Sequence, residues 1–338
     1  MREGIGVAVT AQPLLQMAAD FYKWRTVLFA IELDLFTVLG TNPATEPEAR
    51  ERFRLSERGT QDFLDALVAV GLLDRTGGVY RSAPLAREFL DSSKPSYLGR
   101  FLYAADARWT RVGTGLRTGD PQNGARPGAS MFTQQHQDQA AWRAYYGGMD
   151  ALNGPSGAAL AHAFDWSSVK RVTDVGGARG NVAAQLVRAH PHLQAQVFDL
   201  PSVQALFDEH MANLGLTRQV TFQPGNFFTD PLPASDVLVF GHVLHDWAVG
   251  ERRMLAGKAY EAVAPGGAVL IYDTMIDENR RQNANTLLVS LNMMLCTPGG
   301  GEYTPAEGGR WFTEAGFSPV ETRLLTNDDT LLIARKAA

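Results

Sequence analysis

Apolar positions repeat along this chain with two periods, and the change from one to the other divides it. Between residues 13 and 39, Phe21, Trp24, Val27, Leu28, Ile31 and Leu35 fall at three- and four-residue steps, the spacing of one helical face, and Gly40 follows as a stop. Residues 46–53 and 59–70 predict two more helices, the second ended by Gly71. Short strands are predicted at 72–74 and 79–81 around a turn at 76–78, and helices followed by a small hairpin make a winged helix. Residues 95–117 and 134–164 predict mainly helix on either side of a Gly/Pro-rich loop at 118–127. Aromatic side chains are dense there: Phe101, Tyr103, Trp109, Trp142, Tyr145 and Tyr146 line a pocket or fill core. From Arg171 strand alternates with helix. Strands at 171–174, 195–199, 220–223, 237–240 and 268–272 predict a parallel sheet with covered faces. Runs at 320–325 and 331–334, joined by the polar turn 327–329, predict a closing antiparallel hairpin. There is no internal repeat.

The strand at 171–174 runs through Asp174 into a turn containing Gly176, Gly177 and Gly180, and residues 181–190 continue with Val182, Leu186 and Val187 on one helical face. Glycines let a backbone approach a ligand, and a helix N-terminus offers unpaired N–H groups to it. Asp199 ends the next strand about twenty residues on, where open α/β sheets place an acid on ribose hydroxyls. The glycines miss the G-x-G-x-x-G register of a dinucleotide site. An acid just ahead of them suits a cationic, pyrophosphate-free nucleoside such as S-adenosylmethionine; the plain alternative is a turn that only packs helix on sheet.

Composition narrows the class. The 338 residues are 45% hydrophobic, enough for two domains with their own cores, and the net charge of −5 disfavours a general nucleic-acid or anionic-membrane binder. The helix at 59–70 that would enter a DNA groove carries Asp62 and Asp65 and no basic residue. Cys296 is the only cysteine, so no intrachain disulfide or four-cysteine zinc site can form. No secretory signal and no membrane span are expected, and a cytoplasmic setting fits. The apolar face at 13–39 predicts pairing with a second copy of the domain.

Five motifs then occur in order: RVTDVGGARG at 171–180, DLP at 199–201, GHVLHDW at 241–247, APGGAVLIYD at 264–273 and PGGGEYT at 298–304. Together they resemble the S-adenosylmethionine-dependent class I O-methyltransferases of the plant caffeate and bacterial polyketide type, over nearly the whole chain. The resemblance implies an α/β fold: a Rossmann-like seven-stranded methyltransferase sheet behind a mainly helical, winged-helix dimerisation domain. The domains would be 1–100 for dimerisation, 101–165 as a helical linker contributing to the substrate pocket, and 166–338 for S-adenosylmethionine. It further implies that Asp174, Gly176 and Gly177 hold the methionine end of the cofactor. Asp199 with Leu200 would hold its ribose, and Asn226, Phe227 and Trp247 its adenine, with Gly241 and His242 also at the cofactor. His245 would be the general base for a small-molecule acceptor's hydroxyl, flanked by Asp273 and Glu302. The chemistry suits the assignment, since a histidine near its ordinary pKa of about 6.5 is basic at pH 7 and a carboxylate stabilises its protonated form. Asp246 competes for that supporting role.

Three positions depart from the family pattern. Ala178 replaces a third glycine, Asn226 replaces an acid that reads the adenine, and Gly241 stands where many plant members have lysine. Relatives of this fold also carry out hydroxylation and pericyclic reactions. Others methylate the carbon of an α-keto acid with a bound metal, for which His242, His245 and Asp246 are at hand. A ligand-sensing regulator built on an inactive methyltransferase is a further alternative.

Overall fold

The first helical stretch is two helices, α1 (Gln12–Glu32) and α2 (Leu35–Thr41), in the computed structural model, which describes residues 9–123 and 139–338. The break falls at Asp34, whose φ of +52° leaves the helical region; its carboxylate accepts the Thr37 hydroxyl at 2.6 Å, a local contact that makes left-handed backbone tolerable for aspartate. Gly40 therefore lies inside α2 instead of ending a single helix. Leu28, Ile31, Leu35, Phe36 and Leu39 are buried against Leu64 and Leu67 in one core. The N-terminal half of α1 finds no cover there, and Leu14, Leu15, Met17, Phe21 and Tyr22 remain exposed.

The same unit continues through β1 (Ala44–Thr45), α3 (Glu46–Phe53), α4 (Glu57–Ala69), β2 (Leu73–Thr76), β3 (Val79–Ser82) and α5 (Pro84–Phe89). A reciprocal cap between Thr45 and Glu48 starts α3. Arg58 and Gly59 are non-helical, so regular α4 begins one residue later than its apolar spacing implies. The hairpin is a three-stranded antiparallel sheet, order β1-β3-β2, because the two-residue β1 is too short to show a period. Asp65 accepts the Arg75 guanidinium at 2.6 Å and the Tyr80 hydroxyl at 2.8 Å, tying α4 to the hairpin.

Contacts divide the chain between Tyr103 and Ala104. Across and beyond that division run α6 (Gly99–Trp109), α7 (Val112–Thr118) and α8 (Gln139–Ala163). The expected loop at 118–127 and the expected helix start at 134 lie partly outside the described residues. The sheet unit follows as β4 (Arg171–Val175), α9 (Asn181–Ala189), β5 (Gln194–Asp199), α10 (Gln204–Leu214), β6 (Val220–Pro224), β7 (Ser235–Gly241), α11 (Val249–Ala262), β8 (Val263–Asp273), α12 (Ala284–Cys296), α13 (Pro305–Glu314), β9 (Glu321–Leu324) and β10 (Thr330–Arg335).

Seven strands lie in the order β6-β5-β4-β7-β8-β10-β9, parallel except for β10, which runs antiparallel to β8 and β9. Both faces are buried, one under Val172, Val197, Val239 and Leu270, the other under Val175, Phe240, Ile271 and Leu332, which is why these strands read as nearly continuous apolar runs. Edge strand β9 is exposed throughout and carries Glu321 and Arg323, charges that discourage edge pairing. The chain order reverses beside β4, and a crevice opens there at the strands' C-terminal ends. No helix among the described residues is long and apolar enough to cross a membrane.

Candidate active site

A cavity with about 1150 Å³ of empty space, part of it open to solvent, lies over the C-terminal ends of β4, β5 and β7. The turn after β4 shapes its floor. Gly176 has φ +73°, and a Cβ there would press on Val243; a Cβ on Gly177 would collide with the Asp174 carboxyl. Asp174 is buried, and its Oδ2 has no hydrogen-bond partner. Burial, then the Asp199 charge, raises its pKa to about 7. Asp199 accepts the Ala178 N–H at 2.8 Å and the Leu200 N–H at 2.7 Å, and burial still lifts it to about 6. Phe227, Phe228 and Trp247 form an aromatic wall, with Phe228 and Trp247 edge to face at 4.6 Å. Tyr145, Tyr146, Met149, Asp150 and Asn153 of α8 line another side.

The cluster around His245 is drier. His245 Nδ1 lies 2.6 Å from Glu302 Oε1 and 3.5 Å from Asp273 Oδ1, with all three side chains buried. Asp273 Oδ2 accepts the Tyr303 hydroxyl at 2.6 Å, while Asp273 Oδ1 and Glu302 Oε2 have no hydrogen-bond partner. Burial raises Glu302 to about 8, against the lowering charges of His242 and Arg252, and raises Asp273 to about 6. With both carboxyls on Nδ1 the imidazole proton belongs there, and Nε2 is the basic nitrogen. Asp246 does not share this arrangement: it lines the cofactor-side cavity, where burial raises it to about 6. His242 takes φ +51° and sets Nε2 3.2 Å from Asp329 Oδ2; Asp329 also accepts the Ser156 and Thr274 hydroxyls. Burial depresses His242, but Asp329, Asp273 and Glu302 outweigh it and hold its pKa above the ordinary value.

Two family matches account for this construction: the O-methyltransferase domain at residues 109–318 and the O-methyltransferase dimerisation domain at residues 15–92. The chain belongs to the O-methyltransferase family. The methyltransferase is 48% identical, over 96% of both chains, to a tetracenomycin polyketide synthesis 8-O-methyl transferase of Streptomyces glaucescens. It is 35% identical, over 96% of both chains, to an N,N-dimethyltransferase of Streptomyces rimosus. Human N-acetylserotonin methyltransferase in complex with S-adenosylmethionine superimposes with a TM-score of 0.85 at 28% identity, over 99% of this chain and 100% of that one. The enzyme is an S-adenosylmethionine-dependent O-methyltransferase. Its own cavity fits that cofactor: a buried carboxyl with an unpartnered oxygen, Asp174, and the half-buried Asp199 offer negative charge to a cationic ligand, and aromatic rings stand where a flat base can lie.

The fold brings Asp174, Gly176, Gly177, Asp199, Leu200, Asn226, Phe227, Gly241, His242 and Trp247 to one cavity, and His245, Asp273 and Glu302 to one cluster. Each departure from the family pattern has a local account. Ala178 adopts φ +49°, so the backbone keeps a glycine-like turn at the cost of strain. Asn226 Oδ1 accepts the Phe228 N–H at 2.9 Å, which engages the oxygen expected to meet the adenine. A Cβ at Gly241 would overlap the Tyr272 ring, whose hydroxyl donates to Asn153 at 3.2 Å; this ring fills the space a lysine would need. Sequence reasoning missed Asp150, Asn153, Arg179, Tyr272 and Asp329. Arg179, inside the glycine motif, pairs with Asp150 of α8, and Asp329 reaches His242 from the β9–β10 turn. Only the positions of Arg179 within RVTDVGGARG and of Tyr272 within APGGAVLIYD offered a signal.

Proposed function

We propose that the methyltransferase methylates a hydroxyl of an aromatic, polyketide-like small molecule, with His245 as general base. The observation that carries this reading is the 2.6 Å contact between His245 Nδ1 and Glu302. S-adenosylmethionine, when bound, supplies an electrophilic methyl group. Asp174 and the turn at Gly176 and Gly177 hold its methionine end, Asp199 and Leu200 its ribose, and Asn226, Phe227 and Trp247 its adenine, with Gly241 and His242 closing the floor. His245 Nε2 takes the hydroxyl proton. Glu302 Oε1 and Asp273 Oδ1, both already beside Nδ1, stabilise the imidazolium, so little rearrangement accompanies the charge that develops. The acceptor class follows from the relatives' substrates and from Tyr145, Tyr146 and Met149, which give the cavity an apolar side. Two copies of the chain pair through the dimerisation domain.

His245→Ala lowers the methylation rate by roughly 10²–10⁴ with a neutral phenol and leaves cofactor affinity nearly unchanged. With an acceptor already ionised at the assay pH the loss is much smaller. Full activity of His245→Ala toward a high-pKa acceptor would sink the reading. A metal-assisted reaction is the second reading, because ligand atoms of His242, His245 and Asp273 come within 4.8 Å of one another; Asp246 is not in that group. Metal content of the purified enzyme, with activity before and after chelation, separates the two.

A further inference from the structure

Arg252, on the first turn of α11, is 4% exposed, and no ion pair holds it among the described residues. A guanidinium so placed is costly unless its donors are met. Here they meet three backbone carbonyls from two separate segments. Nε donates to Trp247 O at 2.7 Å, and Nη2 donates to Gly301 O at 2.5 Å and, more loosely, to His245 O at 3.4 Å. Its Cζ lies 5.0 Å from the Tyr303 ring centroid and 5.3 Å from that of Trp311, two rings whose centroids are 4.8 Å apart, so the cation rests against an aromatic pair. A residue that merely stapled the start of its own helix would need the Trp247 carbonyl alone. Gly301 is 49 residues away and stands beside Glu302.

The two segments are docked backbone to backbone. Gly301 N–H donates to His245 O at 2.8 Å, and a Cβ on Gly300 would come 2.9 Å from that same oxygen. We infer that Arg252 is a positioning residue of the methyl-transfer site, fastening the segment that carries His245 to the segment that carries Glu302 so that the carboxyl meets Nδ1. The inference rests on the reading of His245 as the base. The same cation opposes the rise that burial imposes on Glu302, so it serves the pair by charge as well as by geometry.

The test needs no identified acceptor. In enzyme labelled with ¹⁵N-histidine, an Nδ1 proton in so short a contact gives a low-field proton resonance that disappears in His245→Ala. In Arg252→Met, whose unbranched side chain can still pack against the two rings, that resonance moves upfield or broadens. S-adenosylhomocysteine affinity, measured by calorimetry, stays within about three-fold. With 1-naphthol as probe acceptor, kcat falls about 10–100-fold, the scale of an ångström's misplacement of a catalytic group. With a nitronaphthol ionised at the assay pH, the loss is only a few-fold. Arg252→Lys keeps the charge without the fork of donors and recovers only part of the rate; it is read in the same way if Arg252→Met does not fold. An unchanged resonance in a folded variant overturns the proposal, as does full recovery by lysine or an equal loss with both naphthols. A wild-type enzyme without the His245 resonance, or an active His245→Ala, instead defeats the base itself.

Discussion

If Asp174 holds the cofactor as proposed, it brings a pH dependence to the site. Its pKa of about 7 in the fold stands well above the usual carboxylate range, so the group is largely neutral at pH 5.5 and largely ionised at pH 7.5. A cationic cofactor meets a full counter-charge only at the higher pH. Calorimetry should therefore find S-adenosylmethionine bound about ten-fold more tightly at pH 7.5 than at 5.5, roughly 1.4 kcal/mol. The stability of the ligand-free enzyme runs the other way. A carboxyl raised in the folded state contributes stability that is complete below about pH 4 and is lost as pH rises through about 7. Asp199, at about 6, acts in the same direction. Thermal melts should accordingly show the ligand-free Tm falling from pH 5 to 7.5 while the increment from cofactor grows. Ala178 gives a second test at this scale. Its φ of +49° is left-handed backbone that glycine adopts freely, so Ala178→Gly should raise stability by about 1 kcal/mol in denaturant titration.

Two parallel strands and one ring decide the floor of the site. Gly241 ends β7 against Tyr272 near the end of β8, and the two residues are register partners. A methyl group at 241 has no room beside that ring, so Gly241→Ala should cost about 1–3 kcal/mol, the usual range for overpacking. Tyr272→Leu in the same chain should return part of it, which a double-mutant cycle in denaturant measures. The β9–β10 hairpin contributes at the same scale. Its apolar runs were legible as a hairpin, yet its turn delivers Asp329 to His242, 87 residues earlier in the chain. The helices α3 and α9 match the ranges expected from the sequence to within a residue. The α1–α2 break does not, because it depends on one aspartate turning left-handed under a Thr37 contact.

For the molecule as a whole the exposed half of α1 is the decisive surface. Leu14 and Leu15 are 70% and 61% exposed, and Phe21 and Tyr22 are 58% and 66% exposed; all but Leu14, which directly precedes it, lie in the segment matched by the dimerisation domain. Sedimentation at micromolar concentration should give a homodimer. Leu14→Glu combined with Phe21→Glu should shift it to monomer, since two charges would be buried without partners in an apolar contact. A dimer unmoved by that pair would place the interface elsewhere.

By itself the sequence determined the class of the fold, the order of the strands along the chain, the glycine turn with its acids, and the motifs that hold His245, Asp273 and Glu302. Those features are local: period, turn chemistry and motif spacing act over a few residues and leave marks that can be read there. Only the tertiary structure decided which acid meets His245 Nδ1, that Asp246 turns to the cofactor side, that Tyr272 replaces a side chain at Gly241, and that Arg252 and Asp329 bear on the site at all. Those are contacts between residues tens of positions apart. Their energies depend on burial and on who else is near, and no short stretch of sequence encodes either.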